Sequence, residues 1–226
     1  MCGRFTLTVS PEELQAAFPN FDIPGDIPPS YNIAPSQPIP VIVNDGKNQL
    51  DFYRWGLIPF WTKPDKVGKF SLINARSETV SEKASFKTSF RRRRCLILAD
   101  GFFEWSKSTS GKGKTPYYIT LKDQSPFAFA GLWDVWNSPE GDSLKSACIL
   151  TTNPNELVKA IHDRMPVILP AENFDSWLKI EEGKPDEFQP FLRSYPAELM
   201  QAYPVSTYVN TPKNNSPQCI QAATLL

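Results

Sequence analysis

The sequence predicts an α+β fold, and three observations support that class. The 226 residues include 22 prolines and 11 glycines, which interrupt regular structure so often that the elements between them must be short. Runs rich in β-branched and aromatic residues predict a β core, and segments beginning at Pro, Asn or Asp predict short helices. A hydrophobic fraction of 41% is ample for one large domain or two small ones.

Six segments predict the strands of the core. They are PVIVND (residues 40–45), LDFYRWGL (50–57), CLILADGFFEWS (95–106), PYYITL (116–121), FAFAGLWDVW (127–136) and SACILTT (146–152). Helices are predicted over Pro11–Phe18, Asn155–Ile161, Phe174–Lys179 and Asp186–Leu192. The Ser, Gly and Lys-rich segment Ser106–Thr115 lies between two predicted strands and is typical of an exposed hairpin loop.

Charge and cysteine content narrow the class of protein. The 24 basic and 24 acidic residues balance, so any nucleic-acid surface must come from local placement of charge. No apolar run is long enough for a signal peptide or a membrane span, which predicts an intracellular, soluble protein of the cytoplasm, nucleoid or nucleus. The four cysteines are far apart and His162 is the only histidine, so we expect no disulfide framework, no metal and no cofactor.

Cys2 is the most informative residue. Removal of Met1 would leave a free amine and a thiol on one residue, and such a 1,2-aminothiol can take an aldehyde through an imine to a five-membered thiazolidine. With ordinary pKa values of about 8 for the amine and about 8.5 for the thiol, useful fractions of neutral amine and thiolate are expected at pH 7. The alternative is that Cys2 is a small buried apolar residue, which is common for free cysteine.

Three further side chains could take part in chemistry. Glu104 lies among aromatic residues in GFFEW, where burial would raise the pKa of its carboxyl group and suit it to proton transfer; an outward-facing glutamate is the alternative. His162 could be an acid/base partner, or a structural histidine bonded to Asp163 or to the backbone. Asn74 offers a neutral donor and acceptor that could orient a substrate oxygen.

Several basic and aromatic residues could contact a nucleic acid. The run Arg91–Arg94 leads directly into a predicted strand, which could place it along one rim of the sheet, either as a phosphate site or as a solvated face. Isolated arginines stand close in sequence to the candidate reactive residues, and two tryptophans could stack on unpaired bases. They are Arg4, Arg76, Arg164, Trp61 and Trp105.

Six motifs resemble one protein family. MCGRF, YNIAPSQ, WGLIPFW, LINARSE, CLILADGFFEW and IHDRMPVIL, in this order, are similar to the SOS-response-associated peptidase family. The resemblance covers residues 1 to about 209 and leaves residues 210–226 as a C-terminal tail. It implies one domain, residues 1–226, with a compact α+β fold, a β-barrel-like core of short strands and short helices at its periphery.

The resemblance also implies a function. Members bind single-stranded DNA in a positive channel and crosslink covalently to abasic sites through the N-terminal cysteine, a lyase-like activity in the DNA damage (SOS) response. By motif, Cys2 is the nucleophile, Glu104 transfers protons, His162 positions groups and serves reversal of the crosslink, and Asn74 completes the active site. The resemblance places Arg4, Arg76, Trp61 and Trp105 in or near the DNA channel.

The partners implied are single-stranded DNA with abasic sites and junctions with duplex DNA, since Pro35 matches a residue wedged against the duplex. Arg164 is assigned to DNA binding from its place beside His162, and we expect a monomer. Some members carry a second tryptophan where this chain has Thr62, which would remove one stacking surface.

Two other functions stay open at this point. The family name implies a thiol peptidase, in which Cys2 removes Met1 or cleaves another peptide. A non-covalent reader of damaged or modified DNA is the third alternative, and it would bind without any reaction at Cys2.

Overall fold

A computed structural model describes residues 2–69, 72–107, 113–179 and 182–223, and it has the predicted α+β architecture. In chain order the elements are β1 (Phe5–Leu7), α1 (Pro11–Ala17), β2 (Ser30–Ile33), β3 (Pro38–Val43), β4 (Leu50–Trp55), β5 (Asn74–Arg76), α2 (Lys87–Arg92), β6 (Arg94–Ala99), β7 (Gly101–Lys107), β8 (Lys114–Leu121), β9 (Phe127–Asn137), β10 (Ser143–Thr152), α3 (Glu156–Lys159), β11 (Met165–Pro166), β12 (Ile168–Leu169), α4 (Phe174–Trp177), α5 (Pro185–Phe188) and β13 (Met200–Pro204). None of the helices in these ranges is long and apolar enough to cross a membrane.

The core is a closed barrel of five strands. β3 pairs with β4 and with β6, β6 pairs with β9, β9 pairs with β10, and a parallel pairing of β10 with β4 closes the ring. Closure pairs both sides of every strand in the ring, which removes exposed edges. The short strands β5 and β11 attach to β10, and β12 attaches to β9. The predicted β-barrel-like core is therefore confirmed.

A second, antiparallel sheet carries the start of the chain. Its order is β13-β8-β7-β1-β2, so the N-terminal strand β1 lies between two others. The Phe5 ring joins this sheet to the barrel, with its centroid 5.1 Å from that of Trp55 and 5.8 Å from that of Phe129. Packing of this kind fixes the position of Cys2, three residues earlier.

The six predicted strand segments are all confirmed, and CLILADGFFEWS divides into β6 and β7 at Asp100. The helix predicted over Pro11–Phe18 is confirmed as α1, which begins with a capping box between Ser10 and Glu13. The other three predicted helices are present as α3, α4 and α5 in shorter form. β7 and β8 form the predicted hairpin, although residues 108–112 of the loop Ser106–Thr115 lie outside the described residues.

The run Arg91–Arg94 divides between a helix and a strand, and Arg94 is neither a phosphate site nor part of a solvated face. Helix α2 contains Arg91 and Arg92, and only Arg94 belongs to a strand. The Arg94 side chain is fully buried, where it donates hydrogen bonds to four main-chain carbonyls, those of Phe90, Arg91, Trp177 and Lys179. These carbonyls lie at the C-terminal ends of α2 and α4, where a cation is favoured. Arg94 therefore holds two helices against the barrel.

Gly101, at the start of β7, has no room for a side chain. An added Cβ would lie 2.3 Å from Tyr118 Oη. The Tyr118 ring cannot move aside easily because it is 4% exposed and its hydroxyl is 2.8 Å from Thr6 Oγ1.

We expect Gly101→Ala to lower the free energy of unfolding by about 1–3 kcal/mol through overpacking. Urea denaturation measures this, with Gly25→Ala as the control because a Cβ at Gly25 meets nothing within 4 Å. Equal stabilities of the two variants would contradict the assignment.

Candidate active site

The four predicted reactive residues come together from distant parts of the chain. Asn74 Nδ2 donates a 2.8 Å hydrogen bond to the main-chain carbonyl of Cys2. His162 Nε2 lies 3.8 Å from Glu104 Oε2. The charge of Glu104 also acts on the Cys2 thiol, since it contributes to raising the pKa of that thiol. The residues just before β1, the strands β5 and β7, and the segment after α3 thus build one cluster.

Cys2 is fully buried. Burial is the main cause that raises the pKa of its thiol far above the ordinary value, and the negative charge of Glu104 adds to the effect. The expectation that a useful thiolate fraction exists at pH 7 was therefore wrong. A neutral thiol in this position needs a base at the moment of reaction.

Glu104 is an inward-facing carboxyl group, 2% exposed, on β7 opposite Tyr117 of β8. Burial raises the pKa of Glu104 to about 7. The raised pKa expected from the aromatic surroundings is confirmed. The alternative of an outward-facing glutamate is wrong. At neutral pH such a group is present in both its acid and its base form.

His162 contacts both Asp163 and the main chain, as expected for a structural histidine. The main-chain N–H of Arg164 donates to His162 Nδ1 at 3.1 Å, and Asp163 Oδ1 lies 2.9 Å from the same atom. Nδ1 thus lies between a donor, the N–H of Arg164, and an acceptor, the carboxylate of Asp163, whereas Nε2 lies on the side of Glu104. Burial lowers the pKa of His162 below its ordinary value, so the neutral ring prevails at pH 7.

Asn74 contributes two different polar atoms. Its Nδ2 holds the Cys2 carbonyl, whereas its Oδ1 is buried and has no hydrogen-bond partner among the described residues. A buried acceptor without a partner costs about 1–3 kcal/mol, which a ligand donor at this position would recover. The amide therefore has one atom committed to the protein and one available to a ligand.

Arg4 and Trp105 are held by residues late in the chain. Arg4 Nη1 donates to Asn32 Oδ1 at 2.7 Å and to the carbonyl of Val209 at 2.9 Å. The Arg4 guanidinium lies 5.8 Å from the centre of the Trp105 ring, and Trp105 Nε1 donates to Asn210 Oδ1. The segment that follows β13 thus supports the side of the site to which β1 belongs.

Three of the predicted DNA-contacting residues lie at the surface. Arg76 is exposed at the end of β5, and Trp61 is 53% exposed. Pro35 lies half-buried in a turn. In this turn Ser36 has a φ of 74°, a backbone conformation that residues other than glycine seldom adopt. Such strain is tolerated where the surrounding structure fixes the turn.

Arg164 differs from these residues because both terminal nitrogens of its guanidinium are already engaged. Its guanidinium makes a bidentate contact with Glu78, at 2.6 and 2.9 Å, and donates to the carbonyl of Thr151 and to Asn153 Oδ1. The side chain is 10% exposed. A phosphate contact by Arg164 requires the ion pair with Glu78 to open.

Sequence reasoning missed Asp100, which anchors the N-terminal strand. Its buried carboxylate accepts hydrogen bonds from the hydroxyl groups of Thr6 and Thr8 and from the main-chain N–H groups of Thr8 and Val9. The only signal in the sequence was an acidic residue inside an otherwise apolar strand segment, between Ala99 and Gly101.

No group of three or more histidine, cysteine, aspartate or glutamate side chains in the described ranges is arranged to share a metal ion. What the cluster offers is a thiol at the second residue, a carboxyl group that titrates near neutrality, a neutral imidazole and an amide oxygen available to a ligand. Chemically, such an arrangement can combine a thiol nucleophile with a buried carboxyl group that carries protons.

Comparison with known sequences identifies the family. Residues 1–212 match the family described as SOS response associated peptidase (SRAP). The chain belongs to this family, and the resemblance carried by its six motifs is confirmed.

Named relatives and solved structures agree. The chain is 51% identical to abasic site processing protein YoqW of Bacillus subtilis (strain 168), over 98% of this chain and 100% of the relative. It is 34% identical to abasic site processing protein HMCES of Xenopus tropicalis, over 100% of this chain and 79% of the relative. A crystal structure of a protein from Bacteroides thetaiotaomicron superposes with a TM-score of 0.87 at 27% identity, over 99% of this chain and 100% of that one.

Glu104 should give the protein a characteristic pH dependence of stability. A carboxyl pKa near 7 in the folded state and 4.5 in the unfolded state means that the folded state binds the proton more tightly. Its contribution is fully present below pH 4.5 and is lost as the pH rises through 7, a change of about 3 kcal/mol.

We expect Glu104→Gln to abolish this loss. Urea denaturation between pH 4.5 and 8 measures the free energy of unfolding of both proteins. Glu156→Gln is the control, because the Glu156 side chain is 85% exposed. A constant difference between wild type and Glu104→Gln over this range would show that Glu104 has an ordinary pKa.

Proposed function

We propose that this protein processes abasic sites in single-stranded DNA by forming a thiazolidine crosslink between Cys2 and the aldehyde of the ring-opened sugar. Two relatives that match over nearly all of this chain are named abasic site processing proteins. The observation that supports the proposal most is that the buried Cys2 thiol is within electrostatic reach of Glu104, a carboxyl group whose pKa lies at about 7.

The reaction begins with the free α-amine of Cys2, which requires removal of Met1. The amine attacks the aldehyde carbon and forms a carbinolamine. Glu104 in its acid form protonates the carbinolamine oxygen, which leaves as water and gives an iminium ion. The carboxylate produced then takes the proton of the Cys2 thiol, and the sulfur attacks the iminium carbon. One C–N bond and one C–S bond form in total, and one water is released.

The raised pKa of the thiol fits this order of events. A neutral thiol does not compete with the amine for the aldehyde, and it becomes a nucleophile only when a base is beside it. Glu104 becomes that base when it has given its proton to the leaving water. The positive iminium ion also favours the thiolate at this stage, because opposite charges at close range stabilise each other.

Asn74 and His162 complete the proposed mechanism as positioning groups. The hydrogen bond from Asn74 to the Cys2 carbonyl fixes the backbone that bears the amine, and Asn74 Oδ1 is an acceptor for a sugar hydroxyl. His162 Nε2, on the side of Glu104, can stabilise the carboxylate form of Glu104 by donating to it as the groups close around a substrate. The same pair would return protons when the crosslink is reversed.

Mass spectrometry of the intact protein, before and after incubation with a single-stranded oligonucleotide carrying one abasic site, tests the proposal. We expect a protein lacking Met1 to gain the mass of the oligonucleotide less one water. Cys2→Ala should give no stable adduct, and Cys219→Ala, at another buried cysteine, should react like wild type. Absence of an adduct from protein that lacks Met1 would reject the thiazolidine mechanism.

Cys2→Ser separates the roles of the amine and the thiol. The variant keeps the α-amine, so it should still form an imine that borohydride reduction traps. It should yield far less adduct without the reductant, because a hydroxyl is a much poorer nucleophile than a thiol for ring closure. Equal adduct from serine and cysteine without reduction would show that the thiol does not take part.

Glu104→Gln should slow crosslinking by about 100-fold or more, since it removes the proton carrier for both steps. Affinity for undamaged single strands should be nearly unchanged, because Glu104 is buried and makes no phosphate contact. Quenched-flow crosslinking and fluorescence anisotropy measure the two quantities. A wild-type rate in this variant would remove Glu104 from the mechanism.

Arg76 is the exposed cation nearest in sequence to Asn74, and we place it on the phosphate backbone of the bound strand. Arg76→Ala should weaken binding to all single strands and should reduce the slope of log affinity against log salt by about 0.7. Anisotropy titrations at several salt concentrations measure the slope. A slope equal to that of wild type would place the backbone elsewhere.

The family description also names a peptidase, which gives a second candidate function. In that case Cys2 would attack an amide, with Glu104 or His162 as its base. The same mass measurement separates the two, because a peptidase would shorten an added peptide in the absence of DNA. A non-covalent reader would bind DNA equally well with and without Cys2.

A further inference from the structure

The loop after β4 presents two exposed aromatic side chains in succession. Phe60 is 49% exposed and Trp61 is 53% exposed. Trp61 lines an apolar cavity of about 410 Å³, whereas Phe60 lines a different groove of about 590 Å³. Of the two, only Trp61 is among the residues that the family resemblance places in or near the DNA channel.

The base of Phe60 is held firmly by a buried ion pair. Asp134, which is 1% exposed, accepts a 3.0 Å hydrogen bond from the main-chain N–H of Phe60 and pairs with the guanidinium of Arg93. The Arg93 guanidinium lies 5.2 Å from the centre of the Phe60 ring and 6.0 Å from that of Trp133. The ring is therefore fixed in place while one part of it stays exposed to solvent.

The opposite wall of this groove is basic. Lys87 and Arg91 are four residues apart on α2 and share a face of the helix, and Arg92 lies beside them. The side chains of Arg91 and Arg92 are 50% and 60% exposed. Glu182 pairs with both arginines, at 3.3 and 2.6 Å, so three cations face one carboxylate.

We propose that this groove, defined by Phe60, Lys87, Arg91 and Arg92, binds a further stretch of the single-stranded DNA that reacts at Cys2. An unpaired base stacks on Phe60 and the adjoining phosphates bind the cations of α2. Single-strand sites combine exposed aromatic rings with cations in this way, and duplex DNA would offer no free base face to the ring. The inference rests on the proposed function.

The chain connects the groove to the residues assigned to the strand. Phe60 is adjacent to Trp61, and Ser81 in the wall of the groove lies five residues after Arg76. In the proposed arrangement, a strand that passes Arg76 and Trp61 continues into the groove. Glu182 holds the two arginines until a phosphate takes its place.

Strand length separates this groove from the Cys2 site. Affinities of wild type and variants are measured by anisotropy with abasic-free single strands of about 5 and about 20 nucleotides, a range set by known single-strand sites. Phe60→Ala should lose about fivefold or more in affinity for the long strand, and Phe60→Tyr should restore it. Both should bind the short strand like wild type.

The charged variants give effects of opposite sign. Arg92→Gln should weaken binding to the long strand and reduce its salt slope by about 0.7. Glu182→Gln should tighten binding to the long strand, because it frees the arginines for phosphate. Lys122→Gln is the matched control, because Lys122 is an exposed lysine just after β8. This variant should change the affinity for neither the short nor the long strand.

The outcomes are distinct. Wild-type affinity of Phe60→Ala and Arg92→Gln for the long strand, with normal crosslinking by wild type, would overturn the groove alone. An equal loss on both strand lengths would also overturn it, because the residues would then serve the Cys2 site. A wild-type protein that neither binds nor crosslinks single strands would reject the proposed function and the groove together.

Discussion

The rest of the site depends on the anchoring of β1 by the buried carboxylate of Asp100. A chain end normally frays, because its few residues bury little surface and lose much conformational entropy on ordering. Here Asp100 accepts four hydrogen bonds from Thr6, Thr8 and Val9, and β1 is paired on both sides. A residue near the start of the chain can therefore hold a fixed position inside a folded protein.

The low polarity around Cys2 and Glu104 couples the two groups. Burial raises the pKa of both groups and so favours the neutral form of each, and the negative charge of an ionised Glu104 raises the pKa of the thiol further. Cys2 stands just before β1 and Glu104 on β7, which pair with each other in the second sheet, and both residues are buried. The environment of the two groups is therefore set by the second sheet and by the residues packed against it.

The sequence predicts the long strands well because β-branched and aromatic residues fill β3, β4 and β6 to β10. Strands such as β1 and β5 have three residues each, too few to show a periodic pattern. Arg94 is indistinguishable by composition from its three neighbours, yet it alone is buried, because the ends of α2 and α4 meet there. Such convergence depends on tertiary structure, and so does the pKa of the Cys2 thiol. Residue types and motifs were enough to predict the candidate residues of the site, whereas the contacts between those residues are visible only in the folded structure.

The asymmetric amide of Asn74 has a consequence for selectivity. Because Nδ2 is committed to the Cys2 carbonyl, the orientation of the amide is set, and the buried Oδ1 is left as an acceptor without a partner among the described residues. A molecule that brings a hydroxyl group satisfies it, whereas one that brings an ether or a bare methylene leaves a desolvated oxygen unmatched. Selectivity of this kind comes from the energetic cost of leaving Oδ1 unpaired, and it disfavours every molecule that has no hydrogen-bond donor for it.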